Sequence, residues 1–253
     1  MTVSSDQGSS PATLTQAEAA TILTRYRDEI VSPGNVYGRG LVRTWRRLFP
    51  QWMRTPIRCA ITDAMGVRRQ DRLEAIRQRR PLQLHLGSGD RYKEGWVNVD
   101  LVGHRVDLPW NLNRPLPLET GTVDAVFHEH VLEHLTLERG LALLEECHRV
   151  LRPGGTLRIG VPDAEAYVRS YCSDPNGFLT AMRPGRPTPL LALQEEFYWH
   201  GHRTMYDFET LSLVGVAAGF GRFKRCAFGE SGLDPAPDSA GREGDTLYVE
   251  TVR

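Results

Sequence analysis

Residues 82–101 read LQLHLGSGDRYKEGWVNVDL, and the fold is decided in this stretch. LQLHL predicts a short, mostly apolar strand that runs into the turn Gly87-Ser88-Gly89. WVNVDL predicts a second strand, ending on Asp100-Leu101. Glycines after a first strand let the backbone approach a ligand, because no Cβ intervenes. A carboxylate closing the second strand suits the two hydroxyls of a ribose, since it accepts from both. A dinucleotide reading fits poorly: the third glycine of G-x-G-x-x-G would fall at Tyr92.

Downstream, VDAVFHEH (123–130) reads as a strand in near-continuous apolar use, as in a parallel sheet covered on both faces. A helix follows over 137–151, capped by Thr136 and stopped by Pro153-Gly154-Gly155, with Leu137, Leu141, Leu144 and Leu151 as its inner stripe. TLRIGVP (156–162) is the next strand, and 163–171 the next helix. Residues 173–196 read as irregular and Pro-rich, 207–218 as helix, and RFKRCAF and TLYVETV as late strands. The Gly/Asp/Pro loop between them, 231–245, is expected to be mobile. Upstream, 1–13 reads as a disordered tail. Helical stretches at 16–30, 39–49 and 56–79 make 14–80 a helical N-terminal extension packed on the main domain. Alternating strands and helices predict an α/β, doubly wound sheet that binds ligands beyond the carboxyl ends of its strands.

Composition excludes other classes. With 253 residues, 40% hydrophobic and 25% charged, the chain is ordinary for a globular protein, neither fibrous nor disordered throughout. No apolar run approaches the roughly 20 residues of a membrane-spanning helix. No signal peptide is visible, and Cys59, Cys147, Cys172 and Cys226 form no C-x-x-C pair, which fits reduced thiols and a cytoplasmic location. The net charge of zero hides a basic 1–80 and an acidic remainder, which read as docking on each other. No aromatic-interleaved nucleic-acid motif appears, so neither nucleic acid nor membrane is an expected partner.

The ordered string LHLGSGD, GWVNVDL, VDAVFHEHVLEHL and ECHRVLRPGGTLRIGVPD resembles the class I S-adenosylmethionine-dependent methyltransferases. Within them it is most similar to a short-turn branch found in glycan biosynthesis. The resemblance implies a seven-stranded, Rossmann-like sheet with its last strand antiparallel. It implies that Leu86, Gly87, Ser88 and Gly89 lie against the methionine part of the cofactor and that Asp100 and Leu101 hold the ribose. Asp107 and Leu108 fall where the family places an adenine contact, and His128 would sit near the sulfonium. Only ten residues separate Gly89 from Asp100, so the first helix must be nearly absent, and the extension 14–80 is the expected cover of the cleft.

A sugar hydroxyl is too weakly acidic to ionise at neutral pH, so it needs a base or a metal in reach. Histidines supply the base, with His130 or His202 as the expected catalytic residue. His130, Glu133 and His134 stand at i, i+3 and i+4 and on a helix would share one face. The stretch is similar to one with which small-RNA and ubiquinone O-methyltransferases hold magnesium, which implies Glu133, His134 and His202 as ligands of a Mg2+ ion. A plain cap-and-packing role for L-E-H-L competes with that. In FYWHGHR, Phe197, Tyr198 and Trp199 offer apolar faces to a sugar or simply pack, and 173–205 reads as an acceptor lid. The expected function is O-methylation of a sugar or glycan precursor, with a small-molecule or oligosaccharide acceptor as partner. A homo-oligomer is compatible with it. Rival readings are methylation of another natural product, of RNA ribose, or cofactor binding without turnover.

Overall fold

The computed structural model describes residues 15–27, 51–64, 70–103, 105–198 and 200–253. The expected disordered tail, the expected helix at 39–49 and Trp199 lie outside the described residues. The chain forms two compact units, Met1–Leu48 and Phe49–Arg253. In the first, helix α1 (Gln16–Arg25) opens on a capping box in which the Thr15 and Glu18 side chains each satisfy the other's backbone N–H.

The second unit begins with helices α2 (Gln51–Ala64) and α3 (Gln70–Arg77), then strands β1 (Gln83–Leu86), β2 (Val97–Asp100), β3 (Leu108–Pro109) and β4 (Val123–Glu129). Helix α4 (Leu137–Val150) and strand β5 (Leu151–Pro162) follow. Helices α5 (Ala164–Ser173), α6 (Phe178–Met182), α7 (Pro189–Tyr198) and α8 (Phe208–Ala217) precede β6 (Lys224–Cys226) and β7 (Thr246–Val252). Helices α2 and α3 belong to the same compact unit as the sheet.

The seven strands lie in the order β3-β2-β1-β4-β5-β7-β6, with β7 antiparallel to both neighbours and the other pairs parallel. This is the doubly wound, Rossmann-like sheet that the alternating pattern predicts. No described helix is long and apolar enough to cross a membrane. All four cysteines are unpaired.

The sheet's two faces differ in kind. Leu84, Leu86, Val97, Val99, Val126, Leu157, Ile159 and Val249 join the main core with Leu143 and Leu144 of α4 and Leu211 and Val214 of α8. Helix α4 buries Gly140, Leu143, Leu144, Cys147 and Val150, while Leu137 is exposed. Of the expected inner stripe, Leu144 is buried, Leu141 packs against the core and Leu151 is buried as the first residue of β5; only Leu137 faces out. Residues of the opposite parity (His85, Asn98, Glu129, Arg158, Glu250) form a polar face with a small apolar patch of Trp96, Ala125, Phe127 and Leu233.

The 227–245 loop covers that polar face. Arg158, with no exposed surface, donates all five of its N–H groups. They go to both Asp238 oxygens at 2.6 Å, to Glu250 at 3.0 Å, and to the carbonyls of Glu230 and Ala227. Ser239 N donates to Glu129, Lys93 Nζ to Ser239 Oγ, and Arg91 to the Ala240 carbonyl. The segment expected to be mobile is fastened through its middle. The 173–196 segment is likewise not irregular: α6 and α7 pack a satellite core with Tyr167. Arg183 pairs with Glu196, and Arg186 forks onto Glu195 at 2.5 and 2.6 Å.

Candidate active site

At the carboxyl edge of the sheet β1 ends and the chain turns back. Gly87, at φ +65, and Ser88 both donate to the Val99 carbonyl, at 2.7 and 3.2 Å. A Cβ on Gly87 would come within 2.3 Å of Val131 Cγ2, so the turn after β1 and the turn after β4 touch with only a hydrogen's room between them. Gly89, at φ +51, donates to Asp100 Oδ2 at 2.8 Å. Asp100 Oδ1 accepts from Leu101 N at 2.6 Å and from Arg58 Nη2 at 3.3 Å. The Ser88 hydroxyl is buried with no hydrogen-bond partner. Leu86, Gly87, Ser88, Gly89, Asp100 and Leu101 are thus brought to one edge.

Arg58 and its helix are what sequence reasoning missed. Arg58 also reaches the Val102 carbonyl, and buried Thr62 accepts from Val102 N at 2.8 Å, so α2 holds the loop after β2. Nothing in the α2 sequence marks those residues out, because their partners lie about forty positions downstream.

Asp107 lines a cavity of about 480 Å³ with Tyr92, Val102 and Pro109. Asp107 precedes β3 and lies beside Asn98, in the body of β2; its Oδ2 accepts from the Asn98 backbone and side chain at 2.8 and 2.9 Å. Leu108 is core. β3 is only two residues long. At its carboxyl end stands Asn111, buried and facing Asp63 of α2 at 3.4 Å.

His128, near the end of β4, is fully buried, and neither ring nitrogen has a partner. Burial lowers its pKa to about 4, against the pull of Glu133. His85, under the polar face and hydrogen-bonded to Asn98 at 3.0 Å, is also lowered by burial to about 4. An unfolded histidine titrates near 6.5. Between those values the unfolded chain binds more protons, so stability is complete above about pH 6.5 and falls as pH drops toward 4. Each ring accounts for up to roughly 3 kcal/mol at the acid end. Thermal unfolding followed from about pH 7 down to 4.5 should show a steep loss of Tm, less steep in His128→Leu. A Tm that stays level across that window would mean neither ring titrates on unfolding.

His130, Glu133 and His134 do meet, but not along an α-helix. His130 sits at φ +55, a conformation that non-glycine residues adopt at a cost, and only Leu132–His134 forms a single 3-10 turn. His130 Nε2 lies 2.8 Å from Thr246 Oγ1, while Nδ1 is 3.3 Å from both Glu133 Oε1 and Arg242 Nη1. That nitrogen can donate to the carboxylate or accept from the guanidinium. Glu133 is fully buried and has no aligned hydrogen bond from any other group, so the proton belongs on Nδ1, facing it.

His202 enters from seventy residues away. Arg203 N and Thr204 N donate to the Glu133 carbonyl, and Thr204 Oγ1 to the Leu132 and Leu135 carbonyls, clamping the loop onto the 3-10 turn. Ligand atoms of Glu133, His134 and His202 all lie within 4.8 Å of one another. Burial lowers the His202 pKa to about 4, which leaves the ring neutral and a feeble base. The His200 and His202 rings are 5.7 Å apart. Phe197 packs against the satellite core and Tyr198 is 73% exposed, so the two rings do not form one sugar-stacking platform.

Residues 108–159 match a family model described as a methyltransferase domain. No curated protein matches the chain. Among solved structures, a SAM-dependent methyltransferase from Archaeoglobus fulgidus is 15% identical over 76% of this chain and 94% of its own, with a TM-score of 0.43. A SAM-dependent methyltransferase from Thermotoga maritima is 18% identical over 68% and 81%, with a TM-score of 0.42. PigF, solved with SAH, is 17% identical over 68% and 50%, with a TM-score of 0.43. These are distant likenesses of fold.

Proposed function

We propose that this S-adenosylmethionine-dependent methyltransferase moves its methyl to an oxygen, a hydroxyl of a sugar or glycan precursor. The methyltransferase match over 108–159 and the strand order support the donor. The oxygen acceptor is inferred from one observation: the glycine turn after β1 touches, through Val131, the turn that carries His130. The bound donor would supply an electrophilic methyl on a sulfonium. Gly87 and Gly89 bare the backbone for it, with Leu86 and Ser88 beside them, and His128 lies behind. Asp100 and Leu101 take the ribose, and Asp107 and Leu108 the adenine. Helix α2 covers this edge, and 173–205 is the lid over the acceptor.

An aliphatic hydroxyl keeps its proton at neutral pH, so a base must take it as the new C–O bond forms. His130 is that base rather than His202: Glu133 holds Nδ1–H, and Nε2 takes the proton through the Thr246 hydroxyl, which passes its own and receives the acceptor's. Alignment of acceptor, methyl and sulfur supplies the rest of the rate. Magnesium has no part in this reading. Glu133, His134 and His202 offer one carboxylate against two imidazoles, and that ion demands oxygens.

The test is radiolabelled cofactor with a panel of nucleotide sugars and oligosaccharides, beside RNA and amine acceptors. Label is expected on sugar hydroxyls, and His130→Ala is expected to lower kcat by about 100-fold or more while donor Kd holds. Label found only on nitrogen or RNA, or a His130→Ala enzyme at full speed, would overturn the reading.

A further inference from the structure

We infer that Glu133, His134 and His202 bind one divalent transition ion of the zinc class, not magnesium. Three observations carry this. The three side chains present ligand atoms within 4.8 Å of one another, one carboxylate oxygen and two imidazole nitrogens. That mixture suits zinc and its neighbours, whereas magnesium is held almost wholly by oxygens. Glu133 is fully buried, and apart from His130 Nδ1, 3.3 Å from Oε1, neither of its oxygens meets a hydrogen-bond donor among the described residues. A buried carboxylate in that state is costly unless a cation compensates it. The Nδ1 of His202 lies 2.6 Å from the Glu196 carbonyl, which can only accept, so Nδ1 carries the proton and the Nε2 lone pair is left for an ion.

The site is also built to stay in place. Thr204 and the backbone of Arg203 tie the His202 loop to the very turn that carries Glu133 and His134. The side chain of His134 is 42% exposed, so the cluster opens on solvent. Three protein ligands and an open side are the pattern of a metal that receives a further ligand, rather than of a closed structural site. A hydroxyl oxygen of the acceptor proposed above is of the right class to fill that place. The inference shares its cluster with the transfer reading, but ion binding needs no turnover, so the two can fail separately.

The full chain, stripped with chelator, is titrated with Co2+ and followed by its visible absorption, then with Zn2+ by calorimetry. One equivalent of Co2+ should give a d–d band without the near-ultraviolet band of a thiolate ligand, and Zn2+ should displace it while millimolar Mg2+ does not. His134→Ala, at a half-exposed position that spares folding, should weaken binding roughly tenfold or more, as should His202→Ala. His148→Ala, on α4 away from the cluster, should leave it unchanged. Absence of saturable Co2+ and Zn2+ binding, binding that survives His134→Ala, or equal competition by Mg2+ would each overturn the inference.

Discussion

Asp100→Ala is expected to weaken the binding of S-adenosylmethionine by a factor of roughly 100 to 1000 while leaving the sheet folded. In the proposed site the carboxylate accepts from both ribose hydroxyls, and each charge-assisted hydrogen bond contributes about 1.5–3 kcal/mol. Losing the pair removes about 3–4 kcal/mol, which is the stated factor in Kd. Asp100 is available for this because its present partners, Gly89 N, Leu101 N and Arg58, lie to its sides at a strand end rather than in the core. Those lost contacts are partly exposed, so the cost to stability is about 1 kcal/mol. Calorimetric titration of both proteins checks it. A variant that binds the cofactor within threefold of the parent would show that the ribose does not lie at the end of β2.

Arg158→Met should be the most damaging substitution for stability, at about 3–5 kcal/mol. The arginine itself is not a bargain, since burying a guanidinium costs nearly what its ion pairs return. Removing it alone is different. Asp238 and Glu250 would be left buried and uncompensated, and the carbonyls of Glu230 and Ala227 would lose their donor. At this chain length the loss corresponds to a fall in Tm of about 10 °C. It should also free the 227–245 loop, which carries Ser239 to Glu129 and Arg242 to His130. Hydrogen exchange over 227–245 should rise ahead of the rest, as expected for a locally opened segment. A drop in Tm under about 2 °C would mean the network does not hold the loop.

Much of this was legible along the chain because it rests on neighbours in sequence. Gly87 and Gly89 both take left-handed backbone, Gly87 is also required by the close approach of Val131, and both the turn and Asp100 could be read from their spacing. Thr136 and Asp163 cap the helices they were expected to start or precede. The polar sheet face had a signal too. His85, Asn98 and Arg158 each stand between two apolar residues, a polar position within a strand that otherwise alternates toward the core.

The sequence by itself determined the strand order's raw material: alternating strands and helices, a glycine turn, and an acid at the second strand's end. Those features follow from local backbone preference and periodic burial, which act over a few residues. Only the tertiary structure decided that Arg58 reaches Asp100 and that Arg158 pins a loop eighty residues away. The distances among Glu133, His134 and His202, a set the resemblance had already grouped, are likewise fixed only in the fold, where their ligand atoms lie within 4.8 Å of one another. Contacts of that range depend on register and on which buried charge finds which partner, and no spacing along the chain encodes either.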